Sequence, residues 1–297
     1  MKILIGCDPE FFVKKNGKHV SAYNLIEGTK DNPYPVTSGA VQVDGMALEF
    51  NINPANTCDS FVSNVQDVLT QIREMVDAEY EFDYSPVAHF GEEYIAEQPE
   101  DARRLGCDPD FNAYTGQPND APDASRGFRT ASGHIHIGWT NDVDINDPDH
   151  IEACQMVTKQ MDALLGLMSV ILDGDNTRRE LYGKAGAYRV KPYGVEYRVM
   201  SNFWLKSPEL MNLIYNTAYE GTRALLEGRQ FYRSRGKAIQ KYINNGDFIN
   251  AYGCLQAWGW TTPLLISAYE DRVRDAEETY YKRKKIELDY FKELVLK

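Results

Sequence analysis

Apolar and polar residues alternate in several short stretches of the chain, with the period of two that is typical of a strand buried on one face. The alternation is strict in residues 46–54, which predicts a strand that follows a tight turn or bulge at Asp44-Gly45. It recurs in residues 130–139, where His134 and His136 would share the polar face. Residues 2–7 predict a further strand, which Phe11-Phe12-Val13 would continue.

The stretch from Gly183 to Trp204 predicts a hairpin, because a Pro192-Tyr193-Gly194 turn signal divides two alternating runs. Side chains two apart on a strand share a face, so the hairpin would present four charged residues together. These residues are Arg189, Lys191, Glu196 and Arg198. On this stretch alone, a surface hairpin with solvated charges is an equally good interpretation.

Helical spacing of apolar residues follows several of these strands. Residues 61–76 predict an amphipathic helix that Asp59 would cap, and further helices are predicted over 149–172, over 208–228 and after Pro263. Residues 78–130 show little periodicity and predict an insertion or a substrate-facing segment. With no obvious linker, we expect a single domain over 1–297 with a helical C-terminal region over 207–297.

This arrangement favours the α+β class, with a mainly antiparallel sheet and helices packed on one face. The other face of the sheet would carry a set of polar side chains. They are Glu49, Asn51, His134, His136, Glu196 and Arg198.

Composition narrows the possible partners. The chain has 297 residues, a net charge of −12 and a pI near 5.0, which argues against binding to a nucleic-acid backbone. The basic run 282–285 is flanked by acids, so a solvated helix face is the simpler interpretation. Five dispersed cysteines favour free thiols, and neither a signal peptide nor a membrane span is evident, so we expect a cytoplasmic protein.

Acidic residues that gather on one sheet face repel one another, and a bound cation is the simplest explanation for them. Carboxylates with an imidazole suit Mg²⁺ or Mn²⁺ better than zinc or copper. Nearby Arg and Lys side chains suit phosphate oxygens, which suggests a nucleotide-dependent reaction. A GxxxxGK[ST] loop is not present, so the open sheet itself would have to hold the nucleotide.

Five motifs follow one another along the chain: DPEFF, DGMALEFNINPA, GHIHIGW, DNTRR and VEYR. Together they resemble the glutamine synthetase/γ-glutamylcysteine synthetase superfamily and, within it, the phage-type carboxylate–amine ligases (amidoligases). The resemblance covers roughly residues 1–205. It implies a glutamine synthetase-like catalytic domain on a curved, mainly antiparallel sheet, with ATP and divalent metals as cofactors. It also implies amide formation through an acyl-phosphate, in the host cytoplasm if the protein is phage-encoded.

The resemblance implies roles for individual residues. The metal ligands would be Asp8, Glu10, Glu49, His134 and Glu196, and the groups toward phosphate would be Arg179, Arg189, Lys191 and Arg198. Glu49, Glu196 and Arg198 would be the catalytic residues. Asn176, which matches a family position before the phosphate-binding strand, would contact the substrate. Asp8 stands where glutamine synthetases have Glu, so whether its shorter side chain ligates metal directly is left open.

Other assignments stay open. Lys30 would reach a carboxylate or a phosphate, or be a solvated loop residue; Asn51 would face the substrate; His136 would contact either the substrate or a metal ligand. The substrates would be a small-molecule or peptide carboxylate and an amine, with no nucleic acid or membrane, and the oligomeric state is left open. Two other functional classes remain: a cupin-like metal-binding protein or metal-dependent hydrolase, since His-x-His strands also occur in cupins, and a non-catalytic structural protein on a ligase-like fold.

Overall fold

The computed structural model describes residues 2–103, 110–120 and 126–295. The strands in these ranges are β1 (Leu4–Lys15), β2 (Lys18–Val20), β3 (Tyr34–Val36), β4 (Gly39–Asp44), β5 (Ala47–Ile52), β6 (Tyr80–Asp83), β7 (Val87–His89), β8 (Phe111–Asn112), β9 (Phe128–Thr130), β10 (Gly133–Gly138), β11 (Ala187–Lys191) and β12 (Gly194–Tyr197). The α-helices are α1 (Cys58–Met75), α2 (Glu92–Glu97), α3 (Glu100–Arg103), α4 (Pro148–Met161), α5 (Leu167–Leu172), α6 (Thr177–Leu181), α7 (Pro208–Leu226), α8 (Gly236–Asn245), α9 (Phe248–Ala257) and α10 (Pro263–Val295).

The long strand β1 lies at the centre of the main sheet, whose order is β3-β4-β5-β1-β10-β12-β11-β8. Its first half pairs with β10, and Glu10 and Phe11 then pair with β5. Its last residues pair with β2 and β6, which lie off the main path of the sheet. All of these pairings are antiparallel. The predicted α+β class with a mainly antiparallel sheet is therefore confirmed.

The apolar face of the sheet is covered by helices. Helix α1 packs on β4 and β5, α4 packs on β11 and β12, and α7 packs on β1. Ile5, Ile135, Val195 and Tyr197 point from the strands into this core and are fully buried. This is the layer arrangement that the sequence predicts, because a sheet with one apolar face needs a second layer to bury it.

The polar face is also covered at the end that carries Glu10 and Glu49. Phe12 and Ala47 lie on the same face as Glu10 and Glu49, since side chains two apart on a strand point the same way. They form a small buried cluster with Ala88 and Ala131, beside the short sheet of β7 and β9. Part of the segment 78–130 therefore lies over this face. Residues 104–109 and 121–125 of that segment, including Cys107, are outside the described residues.

Two details of the helices differ from the prediction. Helix α1 is capped by Thr57, whose side chain accepts the Ser60 N–H; Asp59 lies in the first turn, where an acid also favours the helix dipole. The helix predicted over 149–172 contains a π-helical turn from Asp162 to Gly166 between α4 and α5. Gly166 permits the close packing there, because an added Cβ would lie 2.6 Å from Ile243 Cδ1.

Candidate active site

Strand register brings the predicted polar residues together at the middle of the sheet. On one side of β10, His134 pairs with Asp8 of β1. On the other side of β10, His136 pairs with Glu196 of β12. Glu196 in turn pairs with Arg189 across the central hairpin. Since all of these residues share one face, their side chains converge. The predicted common face of Arg189 and Glu196 is confirmed by this register.

Among the described residues, Asp8, His136 and Glu196 form a group whose side chains could hold a metal ion. One ligand atom from each lies within 4.8 Å of the others. His136 Nε2 is 3.0 Å from Asp8 Oδ1, and His134 Nδ1 is 3.3 Å from the same oxygen and 3.5 Å from Glu196 Oε1. We call these four residues the carboxylate–histidine cluster.

The carboxylate–histidine cluster fits a divalent cation. Asp8 Oδ1, His134 Nε2 and His136 Nε2 are buried, yet within the described residues none makes a well-aligned hydrogen bond. Buried polar atoms are rarely left in this state, because an unmet hydrogen bond costs roughly 1–3 kcal/mol. Two carboxylates with imidazole suit Mg²⁺ or Mn²⁺, and the shorter side chain of Asp8 reaches the group.

Two members of the cluster have strongly shifted pKa values. Burial and the positive charge of Arg198 lower the pKa of His134 to about 3, which keeps its imidazole neutral and able to ligate a metal. Burial alone would raise the pKa of Asp8, but the nearby His136 and His134 hold it well below its usual value. Asp8 is therefore a carboxylate and His134 a neutral imidazole at neutral pH.

Glu196 is fully buried and surrounded by cations. Lys191 Nζ lies 2.8 Å and a guanidinium nitrogen of Arg189 lies 3.6 Å from Glu196 Oε2, while Arg198 contacts the other oxygen, Oε1. A buried carboxylate needs such partners, because an isolated charge is strongly disfavoured in the interior. Three cations around one acid leave positive charge for an anion such as phosphate. We call Glu196 with these three cations the basic end of the face.

Aromatic and acidic residues hold Arg198 in place. It donates a hydrogen bond to the Tyr182 hydroxyl, and its guanidinium lies 5.4 Å from the centre of the Tyr182 ring. Asp110 Oδ2 lies 3.4 Å from Arg198 Nε and comes from the segment 78–130. That segment therefore contributes a residue to the site, although its sequence shows little periodicity.

The opposite end of the face is acidic. Glu10 pairs with Glu49 across β1 and β5, and Asp44 lies at the end of the neighbouring strand β4. Burial and the negative charge of Asp44 raise the pKa of Glu10 to about 7 and that of Glu49 well above its usual value. Hydrogen bonds from Ser132 N–H to Glu10 and from Gln42 to Glu49 only partly offset this. We call these three acids the acidic end of the face.

Several of the predicted site residues lie away from the carboxylate–histidine cluster. Arg179 is buried with its guanidinium donating to Ser169 Oγ at 3.0 Å on α5, and Asn176 Oδ1 accepts from Arg179 at 3.3 Å. Asn51 is exposed on β5. Lys30 lies beside the acidic end, with Nζ 3.7 Å from Asp44 Oδ2. Their predicted roles stay predictions.

The neighbouring Arg178, which the sequence reasoning passed over, reaches the functional face. It donates to Val199 O and Ser132 Oγ, and it interacts electrostatically with Glu10. The sequence also gave no prediction for the Tyr193 side chain. Its hydroxyl is hydrogen-bonded to His136 Nδ1, and the two rings are stacked. The sequence pattern placed Tyr193 in a turn, and a turn pattern predicts the path of the backbone but not the contacts of the side chain.

Comparison with known families bears on this site. Residues 125–234 match the model of the family described as phage phiEco32-like COOH.NH2 ligase-type 2. That range contains His134, His136, Glu196 and the three cations around it. The resemblance to phage-type carboxylate–amine ligases is confirmed. The search of curated proteins found no match to the chain.

Solved structures that resemble the chain are distant in sequence. A novel glutamine synthase homolog shares 10% identity at a TM-score of 0.36, with 84% of this chain and 64% of that chain covered. A bifunctional glutathione synthetase from Pasteurella multocida shares 11% identity at a TM-score of 0.41, with 92% of this chain and 46% of that chain covered. A GmaS/ADP complex shares 13% identity at a TM-score of 0.46, with 95% of this chain and 70% of that chain covered. The chain thus spans less than two thirds of the first two structures, and similarities of this size carry no argument about function.

Among the described residues, no helix combines the length and the apolar character that a membrane crossing requires. The longest helix, α10, carries many charged residues.

Proposed function

We propose that the protein is an ATP-dependent carboxylate–amine ligase that forms an amide or peptide bond through an acyl-phosphate. One observation carries the proposal: buried Glu196 joins the carboxylate–histidine cluster on one side and contacts three cations on the other. Such a site would suit a metal–phosphate complex, because the acids and imidazoles would hold the metal and the three cations would bind phosphate. Glu196 lies in the range 125–234 that matches the ligase family, and this match supports the same reaction.

In the proposed reaction, Asp8, His136 and Glu196 would hold a divalent ion, with His134 beside them, and a bound ion would supply Lewis-acid stabilisation of negative charge on phosphate. Arg189, Lys191 and Arg198 bind and orient the γ-phosphate. A substrate carboxylate oxygen attacks the γ-phosphorus, and ADP leaves with the electrons of the broken P–O bond. The neutral amine nitrogen then attacks the acyl carbon and a C–N bond forms. The bond from that carbon to the phosphate oxygen breaks, phosphate leaves, and the nitrogen gives up a proton to a nearby base.

The observed fold disfavours the cupin alternative. Cupins are double-sheet jelly rolls, whereas in the described part of the chain the His-x-His strand β10 lies in the middle of one sheet backed by helices. A non-catalytic protein is disfavoured by the buried charges. Glu196, Arg198 and His134 are costly to bury, and a purely structural core gains more from apolar residues.

The proposed partners follow from the site and from charge. We infer a small-molecule or peptide carboxylate and an amine as substrates, with Mg²⁺ or Mn²⁺ as the metal. The net charge of −12 is unfavourable for nucleic acid as a partner. We expect the protein to act in the cytoplasm.

The proposal is tested by screening carboxylates with ATP, Mg²⁺ and hydroxylamine as a general amine. The expected result is ADP release that requires one class of carboxylate and yields the matching hydroxamate. With an ¹⁸O-labelled carboxylate, one labelled oxygen should appear in the released phosphate. ADP release that ignores the carboxylate, or phosphate without label, would refute the acyl-phosphate route.

A further inference from the structure

Tyr193 lies in the turn between β11 and β12 and contacts the carboxylate–histidine cluster. Its hydroxyl is hydrogen-bonded to Nδ1 of His136. The two rings are also stacked, with their centres 6.0 Å apart and an angle of 21° between their planes. One tyrosine therefore contacts both a ring nitrogen and the face of this imidazole.

The backbone holds Tyr193 in this position. Its carbonyl oxygen accepts hydrogen bonds from Trp139 N–H at 2.9 Å and from Thr140 N–H at 3.2 Å, directly after β10. The next residue, Gly194, has a φ of +151°, and a Cβ there would lie 2.1 Å from a carbonyl oxygen of β10. The turn is thus packed against the strand that carries His136, so the backbone itself places the Tyr193 ring beside the imidazole.

The second ring nitrogen of His136 faces the metal-ligand atoms. Nε2 lies 3.0 Å from Asp8 Oδ1, and with that acid and Glu196 it forms the group that could hold an ion. Within the described residues it makes no well-aligned hydrogen bond. Because an imidazole is flat and rigid, the contacts at Nδ1 and at the ring face also set the direction of Nε2.

His134 is held differently. Its Nδ1 lies 3.3 Å from Asp8 Oδ1 and 3.5 Å from Glu196 Oε1, and among the described residues its Nε2 has no hydrogen-bond partner. Its ring is tilted by 53° to that of Tyr182 instead of stacked on it. A histidine that ligates a metal normally donates its other ring N–H to an oxygen. In the described part of the chain His136 has such an oxygen and His134 does not.

The hydroxyl of Tyr193 suits the tautomer that a metal requires. A neutral imidazole carries one N–H, so a free lone pair on Nε2 requires the proton on Nδ1. A hydroxyl oxygen can accept that N–H, whereas a phenylalanine ring at the same place could only stack. Without an acceptor the N–H would be unpaired beside a buried cluster, which disfavours the tautomer that ligates.

We propose that Tyr193 is the positioning residue for His136 in metal binding. Its hydroxyl oxygen accepts the His136 Nδ1–H, its ring fixes the imidazole plane, and the Nε2 lone pair is thereby directed at the ion. This inference deepens the proposed function and rests on it for the assignment of Asp8, His136 and Glu196 to the metal site.

The test begins with Mn²⁺ binding to the full chain, measured from the electron paramagnetic resonance signal of free Mn²⁺. Tyr193→Phe keeps the stacked ring and removes the acceptor, so we expect the affinity for Mn²⁺ to fall about 10- to 100-fold. Tyr219→Phe on α7 is the matched control, because the Tyr219 ring is also stacked, on Tyr215, and should leave the affinity unchanged.

A double-mutant cycle separates positioning from a general effect on the fold. If Tyr193 acts through His136, Tyr193→Phe should change Mn²⁺ affinity by less than about twofold in a protein that already carries His136→Gln. A full loss in that background would overturn the proposal, and so would wild-type affinity in Tyr193→Phe alone.

The wild type gives a readout that needs no folded Tyr193 variant. In ¹⁵N-histidine spectra of the Mg²⁺-bound protein, the signals that disappear in His136→Gln should show the proton on Nδ1 of His136 and a ligated Nε2. A proton on Nε2 of His136 in that state would contradict the proposal, and absence of Mn²⁺ binding to the wild type would remove the metal site itself.

These measurements separate the inference from the ligase function. Mn²⁺ binding that depends on Tyr193 through His136, without carboxylate-dependent ADP release under any tested substrate, would support the positioning role and count against the ligase. Carboxylate-dependent ADP release by the wild type, with normal Mn²⁺ affinity in Tyr193→Phe, would support the ligase and remove the positioning role.

Discussion

The two ends of the functional face differ in the charges that surround their buried carboxyl groups. At the basic end, Glu196 is buried but contacted by Arg189, Lys191 and Arg198. At the acidic end, Glu10 and Glu49 face each other, and repulsion from Asp44 adds to burial in raising their pKa values. The same residue type is thus contacted by three cations at one end and pushed toward its protonated form at the other. The comparison indicates that the basic end is built for anions and the acidic end for cations.

Glu196→Gln should give the largest effect. Removing the buried charge takes a ligand from the carboxylate–histidine cluster and leaves three cations without their common partner. We expect carboxylate-dependent ADP release to fall by roughly 10³-fold or more, and the Mg²⁺-dependent part of ADP binding to disappear. Glu152→Gln, exposed on α4, is the control and should be unaffected. Normal turnover in Glu196→Gln would remove this residue from the site.

The acidic end predicts a pH dependence of stability in metal-free protein. The pKa of Glu10 rises from 4.5 to about 7 on folding, so between these values the folded protein binds more protons than the unfolded chain. The free energy of unfolding should therefore fall as pH increases from 4.5 to 7, by up to about 3 kcal/mol from this group.

Denaturant unfolding in EDTA over that pH range measures the effect. Glu10→Gln should flatten the decline, and Glu81→Gln, exposed on β6, should leave it unchanged. Because a bound cation stabilises the ionised carboxylates, added Mg²⁺ should also flatten it. Identical pH profiles for the wild type and Glu10→Gln would contradict the contrast between the two ends.

Arg189→Ala and Lys191→Ala test the basic end alone. Each removes a cation within reach of a phosphate beside Glu196, so ADP affinity should fall about 10- to 100-fold in each. Lys184→Ala is the matched control, because Lys184 is exposed just before β11. ADP binding that is insensitive to Arg189 and Lys191 would place the phosphates elsewhere.

Lys30→Ala should give the smallest effect. The Lys30 side chain is 46% exposed and its 3.7 Å contact with Asp44 is long, so the free energy of unfolding should change by less than about 0.5 kcal/mol. A large loss of ADP affinity would instead support the sequence-based role of Lys30 toward phosphate.

Alternation along the chain predicted the strands and the shared faces well, because the period of two follows directly from strand geometry. The convergence of Asp8, His134 and Glu196 needed one more step, the pairing of strands distant in sequence. Pattern alone does not fix that pairing; the order of the five motifs supplied it through the resemblance.

Residues on turns and short helices were harder to assign. Arg178 and Arg179 are adjacent on the five-residue helix α6, yet one reaches toward Glu10 and the other toward Ser169. A helix this short offers no apolar stripe from which to read its orientation. Asp44 was predicted only as part of a turn, since its place beside Glu10 and Glu49 depends on the register of three strands.

The central claim, that the basic end holds a metal–nucleotide complex, is tested most directly by calorimetric titration of metal-free protein with ADP, with and without Mg²⁺. The account predicts binding that depends on Mg²⁺ in the wild type and loses that dependence in Glu196→Gln. Absence of ADP binding under both conditions, or binding that Mg²⁺ leaves unchanged in the wild type, would contradict it.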